Sequence, residues 1–251
     1  MSTIAPSLTD EQIRRILELA AGSDSIELKV TVPSAEQQAV VKKLDLDPLD
    51  ARLRQVYFFD TPDLTLYHAG LVVRARRTQG RPDDSTVKLR PVEPHTLPAK
   101  LRASPDFVTE IDMMPGGFVC SGSYKGVLAT RSVRDSLARG KSIRKLFSKE
   151  QRAFYSEHAP DGLALDDLTV LGPITTLKLN AVPDGFGRKL VGELWMYPDG
   201  SRVVELSTKC KPDRTFDTAA KARAFLQERG VDLSSEQQTK TKTALEFFTK
   251  G

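Results

Sequence analysis

The stretch SIELKVTV, residues 25–32, alternates strictly between polar and apolar side chains. The polar positions are Ser25, Glu27, Lys29 and Thr31, and the intervening residues are all aliphatic. Because successive side chains of a β-strand point to opposite faces, this pattern predicts a strand with one charged face and one apolar face. The fold must cover the apolar face and place the charged face where it can be solvated or paired.

The same alternation recurs along the chain and predicts at least eight strands in total. The other seven runs are residues 53–59, 71–77, 85–90, 107–112, 176–180, 190–197 and 202–209. Their polar faces carry charges of both signs, at Arg74, Arg76, Lys88, Arg90, Glu110, Asp112, Lys178, Glu193, Glu205 and Lys209. A sheet with one charged face and one apolar face is therefore expected.

Helices are predicted where the apolar period changes to that of an α-helix. Residues 9–20, 218–229 and 235–249 show this period. A helical insertion is predicted over about 113–160, because 124–158 is rich in helix formers with apolar stripes. No linker divides the chain, so a single domain over residues 1–251 is expected.

Composition narrows the class of protein. The chain has 251 residues, 39% hydrophobic and 28% charged, which is typical of a globular protein. Its net charge of +4 favours anionic partners in general but does not by itself indicate nucleic acid, which is not expected as a partner. The two distant cysteines exclude a disulfide framework. The absence of a long apolar run and of a signal-peptide pattern predicts a cytoplasmic protein without a membrane partner.

Two arrangements of the charged faces are compatible with the alternation. An open sheet could leave the charges in solvent and cover the opposite face with helices, which is the more usual arrangement. Alternatively, the sheet could close with its apolar faces outward under the helices, so that the charges line an interior. Such an interior suits a metal–polyphosphate complex, because Arg and Lys bind phosphate oxygens and carboxylates bind divalent cations.

Four segments together resemble the CYTH family, also called triphosphate tunnel metalloenzymes. SIELKV is similar to the ExExK strand with which the family opens. Residues 56–77, VYFFDTPDLTLYHAGLVVRARR, and TVKLR at 86–90 resemble the segments that follow. The matching positions are Tyr57, Asp60, Thr61, Leu66, Gly70, Arg74, Arg76, Lys88 and Arg90. VVELSTK, residues 203–209, resembles the closing acidic strand.

The resemblance implies an α+β fold in which an eight-stranded antiparallel β tunnel is surrounded by helices. It implies a triphosphate-containing small molecule as partner and Mg²⁺ or Mn²⁺ as cofactor. With strand parity, it assigns substrate binding to Lys29, Arg74, Arg76, Lys88, Arg90, Lys178 and Lys209. Metal binding is assigned to Glu27, Glu205, Glu110 and Asp112, and catalysis to Glu27, Lys29 and Glu110. Asp60, Thr61 and Tyr57 are expected to be structural.

Two positions depart from the family pattern on the metal-binding side. Ser25 replaces the first glutamate of ExExK, and Ser207 stands where a second acid is usual. A serine hydroxyl brings no negative charge to a divalent cation. Three functions therefore remain open: a metal-dependent triphosphatase or the related class IV adenylate cyclase, a binding module for polyphosphate or a phosphorylated ligand, and a barrel carrier for an apolar ligand.

Overall fold

The computed structural model describes residues 8–233, 237 and 240–249. The strands in this part of the chain are β1 Ser25–Val32, β2 Arg52–Asp60, β3 Leu71–Thr78, β4 Asp83–Leu89, β5 Phe107–Met114, β6 Gly117–Leu128, β7 Thr169–Ala181, β8 Leu190–Met196 and β9 Arg202–Cys210. The helices are α1 Asp10–Ala20, α2 Gln37–Lys43, α3 Thr65–His68, α4 Ala99–Arg102, α5 Ser132–Ala138, α6 Lys149–His158, α7 Thr215–Glu228 and α8 Lys240–Thr249.

The strands form one closed barrel in the order β1-β5-β6-β4-β3-β2-β7-β8-β9, with β9 returning to β1. The predicted α+β barrel is confirmed, but the number of strands is nine among the described residues, not eight. The prediction of an all-antiparallel sheet is also wrong, because β1 pairs with β5 in parallel. This pairing sets Ser25 opposite Glu110 and Glu27 opposite Asp112.

The strand that was not predicted is β6, which lies inside the segment that was predicted to be helical. Only the part from Ser132 onward contains helices, α5 and α6, so the prediction of a helical insertion over 113–160 is wrong for its first third. The reason lies in two glycines. A Cβ on Gly122 would lie 2.6 Å from the Phe107 ring, and a Cβ on Gly126 would lie 2.6 Å from Gln151 Oε1. Glycine therefore occupies positions where other strands carry apolar side chains. As a result, the sequence of β6 lacks the alternation that predicts a strand.

The other predicted helices fare better. The helix at 9–20 is confirmed as α1, which begins after a capping box formed by Thr9 and Gln12. The helix at 218–229 is confirmed as α7, although it begins three residues earlier. Of the helix predicted at 235–249, α8 covers 240–249. Residues 235–236 and 238–239 of that prediction lie outside the described residues.

The chain forms two compact units, and the first contains the described residues up to Arg52, Thr109–Cys120 and Leu177–Lys240. Its core contains the apolar positions of β1, β8 and β9 together with residues of α2 and α7: Val30, Val32, Val40, Leu190, Val204, Leu206, Phe225 and Leu226. The apolar face of these strands is thus covered by helices. By strand parity, the charged residues of the same strands lie on the opposite face, which the closed barrel turns inward.

The second unit contains Leu53–Val108, Ser121–Thr176 and the described residues from Thr241. Its core joins apolar positions of β3, β4 and β6 to side chains of α6 and the segment before it: Val73, Ala75, Val87, Tyr124, Leu146, Phe147, Phe154 and Tyr155. Arg74, Arg76 and Lys88 therefore lie on the face opposite to these helices. Among the described residues, no helix combines the length and apolar character that crossing a membrane requires.

The segment after β2 is held by the buried carboxylate of Asp60. Its oxygens accept hydrogen bonds from the backbone amides of Thr61, Leu66 and Tyr67 at 2.8, 2.9 and 3.0 Å. Burial raises the pKa of Asp60, although these amides act in the opposite direction. Asp60 thus fixes the turn that leads through α3 into β3, as the structural interpretation of the Asp-Thr pair predicted.

Candidate functional site

The parallel pairing of β1 with β5 brings three carboxylates of the first unit together. Oxygens of Glu27, Glu110 and Asp112 all lie within 4.8 Å of one another. Asp24 fixes this register, because its Oδ2 accepts hydrogen bonds from the backbone amide and the hydroxyl of Thr109 at 2.7 and 2.9 Å. Three of the four predicted metal ligands therefore form one group, which we call the acid cluster.

Two lysines from the same inner face pair with the acid cluster. Lys29 Nζ lies 3.0 Å from Glu27 Oε2 and 2.8 Å from Asp112 Oδ1. Lys209 forms an ion pair with Glu110 and lies 4.0 Å from Glu27 Oε2. Three carboxylates and two ammonium groups leave one net negative charge, so the cluster is anionic but largely neutralised by the chain itself.

The proximity of these groups shifts their pKa values toward the ionised forms. Burial alone raises the pKa of Glu27, but the ammonium groups of Lys29 and Lys209 outweigh this effect and hold the pKa below its usual range. Burial alone lowers the pKa of Lys29, but Asp112 and Glu27 outweigh it and raise the pKa well above its usual range. The ion pairs therefore persist at neutral pH.

The two serines that depart from the family pattern are hydrogen-bonded to the acid cluster. Ser25 Oγ donates to Glu110 Oε2 at 3.1 Å, and Ser207 Oγ donates to Glu27 Oε1 at 3.1 Å. Each serine thus orients a carboxylate on a neighbouring strand. The sequence shows serines where the family pattern has acids, but the partners of these serines depend on the strand order and could not be predicted.

A second group of charges in the first unit surrounds Glu205, the fourth predicted metal ligand. Lys240 Nζ lies 2.7 Å from Glu205 Oε1 and also forms an ion pair with Glu193. Lys178 Nζ lies 3.4 Å from Glu193 Oε1. Burial alone lowers the pKa of Lys240, but Glu205 and Glu193 outweigh it and raise the pKa. Glu205 is thus held by a lysine and is not part of the acid cluster.

Lys240 was not among the predicted site residues. It is the first residue of α8, and no strand alternation marks it. A lysine beside a helix start is ordinarily exposed, whereas only 17% of the Lys240 side chain is exposed. The sequence carries no pattern that distinguishes it from the neighbouring lysine, Lys242.

The predicted phosphate ligands of the second unit have different surroundings. Arg76 Nε lies 2.9 Å from Asp84 Oδ2, in an ion pair across β3 and β4. The Arg90 guanidinium lies 5.7 Å from the centre of the Tyr67 ring, and Arg90 itself follows the last residue of β4. Arg74 and Lys88 share the face of Arg76. A carrier for an apolar ligand would need the reverse arrangement, with the apolar positions facing inward.

The acid cluster fits a hard divalent cation. Mg²⁺ and Mn²⁺ prefer oxygen ligands, and the cluster offers three carboxylates with a net negative charge. The two serines add hydroxyls that already donate to the carboxylates. The donor set therefore suits one such cation, with water completing its shell.

Comparison with known proteins identifies the fold. No family model matches the chain, and no curated protein matches it. The chain resembles a candidate adenylate cyclase from Bacillus halodurans, with 14% identity over 88% of this chain and 97% of the other, at a TM-score of 0.61. It also resembles a candidate adenylyl cyclase from Hippeastrum, described as having a dominant triphosphatase activity, with 17% identity over 89% and 96% of the two chains, at a TM-score of 0.64.

These likenesses support the fold class that the CYTH resemblance implied, a closed β-barrel with helices around it. The closed barrel of this chain is similar in overall fold to these two solved structures. At identities of 14% and 17% the likeness is one of architecture. Function must therefore be argued from the residues that this chain places in its barrel.

Proposed function

We propose that the protein is a metal-dependent phosphohydrolase acting on a triphosphate-containing substrate. The substrate would be inorganic triphosphate or a nucleoside or thiamine triphosphate, and the cation would be Mg²⁺ or Mn²⁺. The acid cluster beside Lys29 and Lys209 carries this proposal, because it combines oxygen ligands for a cation with ammonium groups for phosphate oxygens. The triphosphatase activity of the structurally similar Hippeastrum protein supports the choice of reaction.

The acid cluster has a direct role in this proposal. Glu27, Glu110 and Asp112 would hold the cation. When bound, such a cation neutralises charge on phosphate oxygens and lowers the pKa of bound water. Glu27 and Glu110 would orient the attacking water by accepting its hydrogen bonds. Ser207 and Ser25 hold these two carboxylates in place.

The basic residues would bind and orient the substrate. If a cation bound the carboxylates of the acid cluster, the ion pairs of Lys29 and Lys209 with these carboxylates would weaken. The two ammonium groups would then contact phosphate oxygens. The remaining proposed phosphate ligands are Arg74, Arg76, Lys88, Arg90 and Lys178. Charge-assisted hydrogen bonds from guanidinium and ammonium groups are about twice as strong as neutral ones. Phosphoryl transfer asks little covalent chemistry of the protein, so most of the catalysis would come from positioning and charge stabilisation.

A second function, a phosphate-binding module without efficient catalysis, is favoured by one observation. Each carboxylate of the acid cluster already has a lysine partner or a serine donor. A cation must therefore compete with ammonium groups of the chain. If it competes poorly, the protein would bind polyphosphate through its basic side chains without turnover.

A phosphate-release screen separates these functions. Tripolyphosphate, ATP, GTP and thiamine triphosphate would each be tested with Mg²⁺ and with Mn²⁺, with cyclic AMP measured in parallel. Glu27→Gln is the active-site variant, and Glu18→Gln on the exposed face of α1 is its control. Cation-dependent release that is lost only in Glu27→Gln supports the hydrolase. Calorimetric binding of tripolyphosphate without release supports the binding module, and the absence of both rejects the two functions together.

A further inference from the structure

Glu193 and Glu205 face each other directly across β8 and β9. Like charges in such a pair repel, because the Cβ atoms of opposed residues are only about 4.5–5.5 Å apart. Water offers little relief, since 12% of the Glu193 side chain and 3% of the Glu205 side chain are exposed. When both carboxylates are ionised, this pair therefore needs a positive charge beside it.

The chain supplies that cation from α8. Lys240 Nζ contacts both carboxylates, at 2.7 Å from Glu205 Oε1 and in a close ion pair with Glu193. Trp195 completes its surroundings: the indole ring centre lies 5.6 Å from Lys240 Nζ, and the indole nitrogen donates to Glu193 Oε2 at 3.4 Å. An ammonium group is attracted to the face of an aromatic ring, in addition to its attraction to the two carboxylates.

We propose that Lys240 is a built-in cation that occupies the Glu193–Glu205 pair and so limits the protein to one divalent cation, at the acid cluster. The proposal rests on the proposed function for the identity of that one cation. The two sites differ in what neutralises them. The acid cluster keeps a net negative charge after its lysines are counted, whereas Lys240 and Lys178 together balance Glu193 and Glu205. A second divalent cation would have to expel a buried ammonium group.

Removing the charge of Lys240 tests this directly. The full chain and its Lys240→Met variant would be titrated with Mn²⁺ alone, and bound ions counted by electron paramagnetic resonance. Lys242→Met is the matched control, since Lys242 lies on the same helix, is 48% exposed and pairs with Glu246. Lys240→Met/Glu205→Gln tests where an added ion binds. Lys240→Gln repeats the test with a neutral side chain that can still donate a hydrogen bond to the carboxylates.

The wild type and Lys242→Met should bind one Mn²⁺ per chain, Lys240→Met two, and the double variant one. Melting temperatures should agree: Mn²⁺ should stabilise Lys240→Met more than it stabilises the wild type. An unchanged ion count in Lys240→Met, or an added ion that survives Glu205→Gln, overturns the proposal. A wild type without Mn²⁺ contradicts the proposed function only, because the gain in Lys240→Met would still be expected.

Loss of folding does not prevent the test. If neither Lys240→Met nor Lys240→Gln folds without divalent cations, the proposal requires that Mn²⁺ restores folding and that NaCl at equal ionic strength does not. Failure of Mn²⁺ to restore folding would overturn the proposal, because the carboxylate pair would then not accept a divalent cation in place of the ammonium group.

Discussion

Replacing Asp112 by Asn should destabilise the protein far more than breaking an exposed ion pair of similar geometry. Asp112 Oδ1 lies 2.8 Å from Lys29 Nζ, and their side chains are 7% and 13% exposed. Removing one partner of a buried pair typically costs about 3–5 kcal/mol. Two effects favour the lower end: Glu27 still pairs with Lys29 at 3.0 Å, and the loss of Asp112 relieves its repulsion with Glu27. We expect about 3 kcal/mol.

The assay is urea unfolding in the presence of a chelator, so that divalent cations do not contribute. Glu18→Gln is the control, because Arg15 and Glu18 lie 3.1 Å apart but are 40% and 65% exposed. An exposed pair of this kind contributes under about 0.5 kcal/mol. For a chain of this size, 3 kcal/mol corresponds to a fall of roughly 6–12 °C in melting temperature. Equal small losses in both variants would refute the view that Lys29 and Asp112 form a desolvated pair.

Three further predictions follow from particular contacts. Ser25→Glu places a fourth carboxylate beside Glu110, so it should lower the melting temperature without metal and tighten Mn²⁺ binding in calorimetry; an unchanged Mn²⁺ affinity would contradict the site. Gly126→Ala should cost about 1–3 kcal/mol in urea unfolding, because its Cβ would lie 2.6 Å from Gln151 Oε1, whereas Gly117→Ala has no heavy atom within 4 Å and should be nearly neutral. Arg76→Ala should weaken tripolyphosphate binding roughly tenfold or more at low salt, since charge-assisted contacts contribute about 1.5–3 kcal/mol; an affinity within twofold of the wild type would exclude a phosphate contact.

Strand alternation predicted most of the barrel because most of these strands bury apolar residues on one face and carry polar or charged residues on the other. β1, with its regular apolar positions Val30 and Val32 in the core, shows this pattern clearly. β6 does not, since Gly122 and Gly126 stand where side chains would collide with Phe107 and Gln151. The alternating pattern is read from side chains, so a strand that packs against its neighbours through glycine does not show it.

The acidic residues of the site were predictable by type but not by grouping. Glu27, Glu110 and Asp112 meet because β1 and β5 pair in parallel, and nothing in the alternation fixes pairing partners or direction. Lys240 shows the larger limit. Its role depends on contacts with Glu205 and Glu193, which precede it in the sequence by 35 and 47 positions. Such distant contacts leave no local pattern in the sequence.

The most direct measurement of the central claim is anomalous diffraction from crystals soaked in Mn²⁺ and tripolyphosphate. Mn²⁺ scatters anomalously, so its position is found independently of the surrounding protein. The proposed function predicts a manganese peak at the carboxylates of Glu27, Glu110 and Asp112, with phosphate density beside Lys29. A peak at other residues, or bound tripolyphosphate with no manganese at the acid cluster, would contradict it.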